Sequence, residues 1–174
     1  RVFIICYLKS LKKEYFFPRP IGIRTPLVND VISKKLPKNE NIEIWDLPPS
    51  SQKIVGYIKE GGSWKDVPYE KLAPRHKKIR DNIKKYRSPN FYRRFSRKEI
   101  MGTITATSSP ENSGIIHPLE DRRYSVREIA RFQSYPDNFK FLGKSIPGKY
   151  KMIGNSVPPK LARSIAESIK ETLL

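Results

Sequence analysis

A chain of 174 residues holds about one domain, and its 35 Lys and Arg against 17 Asp and Glu give a formal charge of +18 and a pI of about 10.1, which favours a polyanionic partner, nucleic acid first. A membrane partner is disfavoured: no apolar run approaches the roughly 18 residues that span a bilayer, no basic helix has a strongly apolar face, and the opening RVFIICYL lacks a small-residue cleavage site. The single cysteine, Cys6, excludes a disulfide framework and a zinc cluster, so no metal is expected and a reducing cytoplasm is the simplest home.

Residues 2–8 are apolar almost throughout, which suits a strand buried on both faces of a parallel sheet. Because the chain opens at Arg1 directly on this run, it reads as the back portion of something longer or as one half of a two-chain assembly. An edge strand of a small domain is the other option.

From about residue 16 to 118 the chain is rich in Pro, Gly and polar residues, and its regular structure is expected to be short. Residues 42–45 (IEIW) and 53–58 (KIVGYI) are expected as short strands, the second interrupted by Gly56, with a turn at 60–64. Residues 74–87 (PRHKKIRDNIKKYR) suggest a helix with Ile79 and Ile83 inward and a basic outer face. Such a face is either plain solvated charge or a phosphate contact.

Residues 91–100 interleave aromatics with Arg93, Arg94 and Arg97, and GTITATSS follows at 102–109. Arginine supplies charge and bidentate guanine contacts, and Thr103 and Thr105 offer hydroxyls for phosphates or base edges. Alternating Thr and apolar residues are equally ordinary strand chemistry.

Ser125 and Glu128 form a capping-box pattern for a helix over about 126–134, with Ile129, Ala130 and Phe132 inward and Pro136 ending it. At the C-terminus, Leu161, Ala162, Ile165, Ala166, Ile169 and Leu173 recur at helical spacing and form a stripe that needs a partner surface. Pro158 or Pro159 suits its first turn and Ser156 its cap. The Gly-Asn-Ser before it is either an ordinary helix start or a place to hold a carboxylate or phosphate on free N–H groups.

RRYSVREIARFQSYPDNFKF (residues 122–141) followed by YKMIGNSVPPKLARSIA (residues 150–166) resembles the last two sequence blocks of the DNA cytosine-5 methyltransferase family, in order and spacing. RVFIICYL resembles the strand after that family's Gln-x-Arg-x-Arg block, with Arg1 as its final arginine. The resemblance implies an α/β fold: the terminal strand and helix of a Rossmann-like methyltransferase domain, flanking a small, irregular, strand-containing target-recognition domain. The corresponding division is 1–18, 19–149 and 150–174.

Carried over by position, the resemblance places Arg1 at the flipped cytosine, where a guanidinium would donate to the ring carbonyl as charge builds on it. It places Asn155, Ser156 and Val157 at an S-adenosylmethionine pocket. Arg127 and Glu128 would organise the recognition domain, and Arg93, Arg94, Arg97, Thr103 and Thr105 are candidates for contact with double-stranded DNA.

The family's Pro-Cys nucleophile is absent, since Cys6 lies between Ile5 and Tyr7 inside the expected buried strand, and so are its Glu-Asn-Val block and Gly-rich cofactor loop. Attack at the ring's C6 needs a thiolate, so the chain alone should not transfer methyl groups. The expected function is therefore the carboxy-terminal half or subunit of a cytosine-5 methyltransferase, in the setting of a restriction-modification system, with an amino-terminal catalytic half as partner. The alternatives are a stand-alone or degenerate DNA-binding module and an unrelated basic RNA- or ribosome-associated protein.

Overall fold

The computed structural model describes residues 2–20, 22, 24–38, 41–82, 91–107, 109 and 114–174. Within them lie six α-helices: α1 (Val28–Ile32), α2 (Pro49–Val55), α3 (Pro74–Asp81), α4 (Val126–Phe132), α5 (Ile146–Asn155) and α6 (Pro159–Leu173). Single 3-10 turns occur at Lys9–Leu11, Trp64–Asp66 and Tyr69–Lys71.

Strands are where expectation and structure part. Among the described residues only isolated bridges form, joining Ile116 to Arg94 and to Arg123. Residues 42–45 are irregular, and their main chain serves side chains and helix ends instead: Glu43 O accepts from Val126 N–H, and Trp45 N–H donates to the Tyr150 hydroxyl. Residues 53–58 are not a strand either. Pro49 starts α2 in the first turn, where a missing N–H costs nothing, and Ser51, Ile54 and Val55 then bury one helical face at i, i+3 and i+4, with Ile58 buried just beyond the helix.

Residues 2–8 form no strand pairing among the described residues, yet their exposure alternates with period two. Val2, Ile4 and Leu8 are 87%, 81% and 74% exposed, while Phe3, Ile5 and Tyr7 are half-buried. Cys6 falls on the exposed side, which corrects its expected burial. Tyr7, Tyr15 and Phe17 stack edge to face at 6.1 and 4.9 Å, and the Ser168 hydroxyl of α6 donates to Phe16 O at 2.8 Å. The first and last segments of the chain thus lie together. Along α6, Ile165 is buried and Ile169 half-buried, whereas Leu161, Ala162, Ala166 and Leu173 remain exposed.

Two hydrophobic cores support the rest. One gathers Val55, Ile58, Trp64, Val67, Ile79, Tyr92 and Ile116; the other gathers Val28, Ile115, Tyr124, Ile129, Phe141, Tyr150 and Ile153. Ile115 and Ile116 enter opposite cores because successive side chains of an extended segment point to opposite sides. The helix expected over 74–87 is seen as α3, with Ile79 buried; Ile83 and residues 84–87 lie outside the described residues.

With so little sheet among the described residues, main-chain carbonyls in loops need other donors. Three buried arginines supply them. Arg94 donates to Val55 O and His117 O at 3.1 Å. Arg123 donates to Trp45 O at 2.7 Å and to Asp46 O, and stacks 4.2 Å above the Trp45 ring. Arg127 donates to Pro136 O and Phe139 O at 3.1 and 2.7 Å. The forked, permanently charged guanidinium suits this because one side chain satisfies carbonyls from separate loops.

Candidate functional site

The Gly-Asn-Ser sequence does not open a helix; it closes one. Ser145 caps α5 by accepting from Gly148 N–H, Tyr150 and Ile153 bury one side, and Asn155 is the last helical residue. Ser156 does not cap α6. Its hydroxyl turns back to donate to Ile153 O at 2.7 Å, and the N-cap of α6 is Pro158 with Pro159 behind it. Neither proline has an N–H, and Lys160 N–H is donated to Ser134 Oγ at 3.2 Å. The start of α6 is therefore poorly furnished to hold an anion. The Asn155 side chain is exposed and forms no hydrogen bond among the described residues.

The two blocks at 122–141 and 150–166 meet directly. Ser134, at φ 64°, presents its hydroxyl to the start of α6, and the neighbouring Gln133 donates to Ile153 O at 3.4 Å. The Tyr150 hydroxyl donates to Tyr124 O, and burial pushes its pKa up to about 12.

Around Glu128 the charges are dense. It completes the capping box with Ser125, and Arg122 donates to both of its oxygens at 2.8 and 3.1 Å. Burial would raise this carboxyl, yet the Arg122 and Ser125 hydrogen bonds hold it below its ordinary 4.5. His117, buried beside it with Nε2 3.8 Å from Glu128, is pushed below its ordinary 6.5 by burial first and by Arg122 second. Its Nδ1 accepts from Leu119 N–H, as the neutral ring does.

The candidates for DNA contact separate on exposure. Arg94 is 4% exposed and turned inward. Arg93 is largely enclosed, bonded to Gly61 O, Gly62 O and Glu99, and stacked 4.8 Å above Phe95. Arg97 is exposed and paired with Glu60 at 3.1 Å. Thr103 is exposed, and the Thr105 hydroxyl meets that of Thr107 at 3.3 Å. Arg1 lies outside the described residues.

Among the described residues, two open clefts of about 620 and about 1050 Å³ share Arg24 and Asp30. The first contains Arg97 and Lys98; the second contains Lys34, Met101, Tyr135 and Lys160. Sequence reasoning missed Arg24, Lys34 and Lys160, which are distant in the chain and carry no local pattern. Only folding gathers them.

Nearly all of the chain, residues 1–171, matches the family model of C-5 cytosine-specific DNA methylases. The chain belongs to that family. It is 34% identical over 163 residues to the type II methyltransferase M1.HphI of Haemophilus parahaemolyticus, covering 90% of this chain and 40% of that protein. It is 31% identical to the type II methyltransferase M.MthTI of Methanothermobacter thermautotrophicus, covering 99% of this chain and 51% of the relative. A DNA (cytosine-5)-methyltransferase 1B from Oryza sativa subsp. japonica is also 31% identical, over 91% of this chain and 10% of the relative. The chain thus spans about half or less of the relatives it matches.

C-5 cytosine methylases take their methyl group from S-adenosylmethionine. The exposed Asn155 amide, with a donor and an acceptor uncommitted among the described residues, fits a polar ligand at the end of α5. The Gly-rich loop that would hold most of such a cofactor is not in this sequence. No described helix is long and apolar enough to cross a membrane.

Proposed function

We propose that this chain is the carboxy-terminal part of a DNA cytosine-5 methyltransferase, acting with an amino-terminal catalytic half that brings the nucleophilic cysteine and most of the cofactor pocket. The observation that carries this reading is the apolar face left uncovered where the chain's ends meet. Val2, Ile4, Leu8 and Phe16 are each at least 70% exposed, and Leu161 and Leu173 are exposed on α6, the helix whose Ser168 bonds to Phe16 O. Exposed apolar side chains gathered in this way mark an interaction surface.

In the assembled enzyme, Asn155, Ser156 and Val157 complete the S-adenosylmethionine site, which supplies the methyl group. Arg1 donates to the carbonyl oxygen of the flipped cytosine, stabilising the charge that builds as the partner's thiolate attacks C6. Arg127 and Glu128 hold the recognition unit's loops. Arg97, Thr103 and Thr105 face duplex DNA, and the cleft cations Arg24, Lys34 and Lys160 add phosphate contacts that set orientation. Arg93 and Arg94 leave this group, because their guanidinium groups are spent on internal acceptors. The type II names of the relatives fit a restriction-modification role, working in the cytoplasm where the DNA lies.

The test is association. An amino-terminal half carrying the Pro-Cys pair and the Gly-rich loop is titrated with this chain in a calorimeter. Binding with a negative heat-capacity change, as apolar burial requires, supports the reading. Absence of binding while the chain still holds duplex DNA favours a stand-alone DNA-binding module.

A further inference from the structure

Near the end of α5, a Cβ on Gly154 would lie 2.5 Å from Ala106 Cα, Ala106 N and Thr105 O. All three are backbone atoms, so no change of rotamer relieves the clash. Only glycine lets the helix seat on residues 105–106 at this distance.

Both sides of the contact are tied down. Ile104 packs into the second core, and Thr105 bonds to Thr107. Across the contact, Ile153 O accepts the N–H and hydroxyl of Ser156 and the amide of Gln133. No flexible side chain intervenes between the strip at 103–107 and the last turn of α5, and close-packed interiors transmit displacement.

We propose that Gly154 is a positioning residue that joins the DNA-facing strip at residues 103–107 to the cofactor-side loop at residues 155–157, so that DNA held at the strip stiffens the loop. The inference rests on the functional assignment of those two segments. It identifies the glycine, rather than a hydrogen bond, as the coupling element.

The test is amide hydrogen exchange of this chain with and without a mixed-sequence duplex DNA, which its charge will bind. In the native chain, DNA should slow exchange in both 103–107 and 153–157. In Gly154→Ala the slowing should persist at 103–107 and be lost at 153–157. Gly148→Ala, in the same helix, disturbs only the Ser145 hydroxyl that caps its far end and should keep both effects. If Gly154→Ala does not fold, Ala106→Gly adds no atom, loosens the strip, and should show the same selective loss. A purely structural glycine would lower stability and leave the DNA-induced pattern in place. Transmission that persists in Gly154→Ala or Ala106→Gly, or native protection confined to the strip, overturns the coupling alone. Protection of neither segment by bound DNA overturns the assignment of the strip, and the coupling with it.

Discussion

The backbone of Ala106 lies 2.5 Å from where a side-chain carbon on residue 154 would sit, so the strip and α5 meet main chain to main chain. Gly154→Ala gains up to about 1 kcal/mol of helix propensity, but overpacking of this kind costs about 1–3 kcal/mol. The net expectation is a lower urea midpoint. A midpoint at or above that of the native chain would show that the strip moves aside freely.

Arg127 holds the carbonyls of Pro136 and Phe139 from inside the fold. Arg127→Lys keeps the charge and loses the fork, leaving at least one buried carbonyl without its donor. A loss of about 1–3 kcal/mol is expected from equilibrium unfolding. Arg97→Ala, on the surface, should change stability by less than about 0.5 kcal/mol. Equal effects at the two positions would contradict the division between internal and DNA-facing arginines.

Acid should weaken the fold in two stages. The unfolded chain takes up a proton at His117 near pH 6.5, while the folded chain resists until lower pH because the ring is buried. Stability from this group is therefore complete above 6.5 and falls as pH drops below it. Glu128 adds a second loss below about 4.5, where the unfolded carboxyl protonates and the folded one, held by Arg122, does not. Melting temperatures followed from neutral to acid pH should show both limbs, and His117→Gln should remove the first. A melting temperature that rises as pH falls from 6.5 to 4.5 would reverse the assigned directions.

DNA affinity should respond to salt through exposed cations only. Arg97→Ala, Lys34→Ala and Lys160→Ala should each reduce the slope of log K against log salt by about 1. Arg93→Ala should leave the slope unchanged, because its guanidinium already serves Gly62 O and Glu99. A slope reduced by Arg93→Ala and untouched by the other three would move the interface elsewhere.

The sequence carried the helix ends better than the segments between. Ser125 and Glu128 announce α4 through side-chain chemistry confined to four residues, and Pro159 announces α6. Residues 53–58 look like a strand because Ile54, Val55 and Ile58 are β-formers, but Pro49 and Ser51 set a helical register upstream. Helix α5 is hidden by Gly148 and Gly154, which read as breakers, although Ile146, Tyr150 and Ile153 keep helical spacing. The buried roles of Arg93 and Arg94 were illegible for a different reason. Besides one carboxylate each, Glu99 and Asp121, their acceptors are main-chain carbonyls, present at every residue, so no local pattern marks which arginine will find them.

The uncovered face gives the central claim its most direct test. Methyl transfer from labelled S-adenosylmethionine to duplex DNA is measured with this chain alone, with an amino-terminal catalytic half alone, and with the two together. Label only in the mixture, lost again when Ile4→Asp is introduced into this chain, is the predicted result. Label from the amino-terminal half alone at the same rate, or none from a mixture whose two chains are shown to bind, would contradict the claim that this chain completes the enzyme.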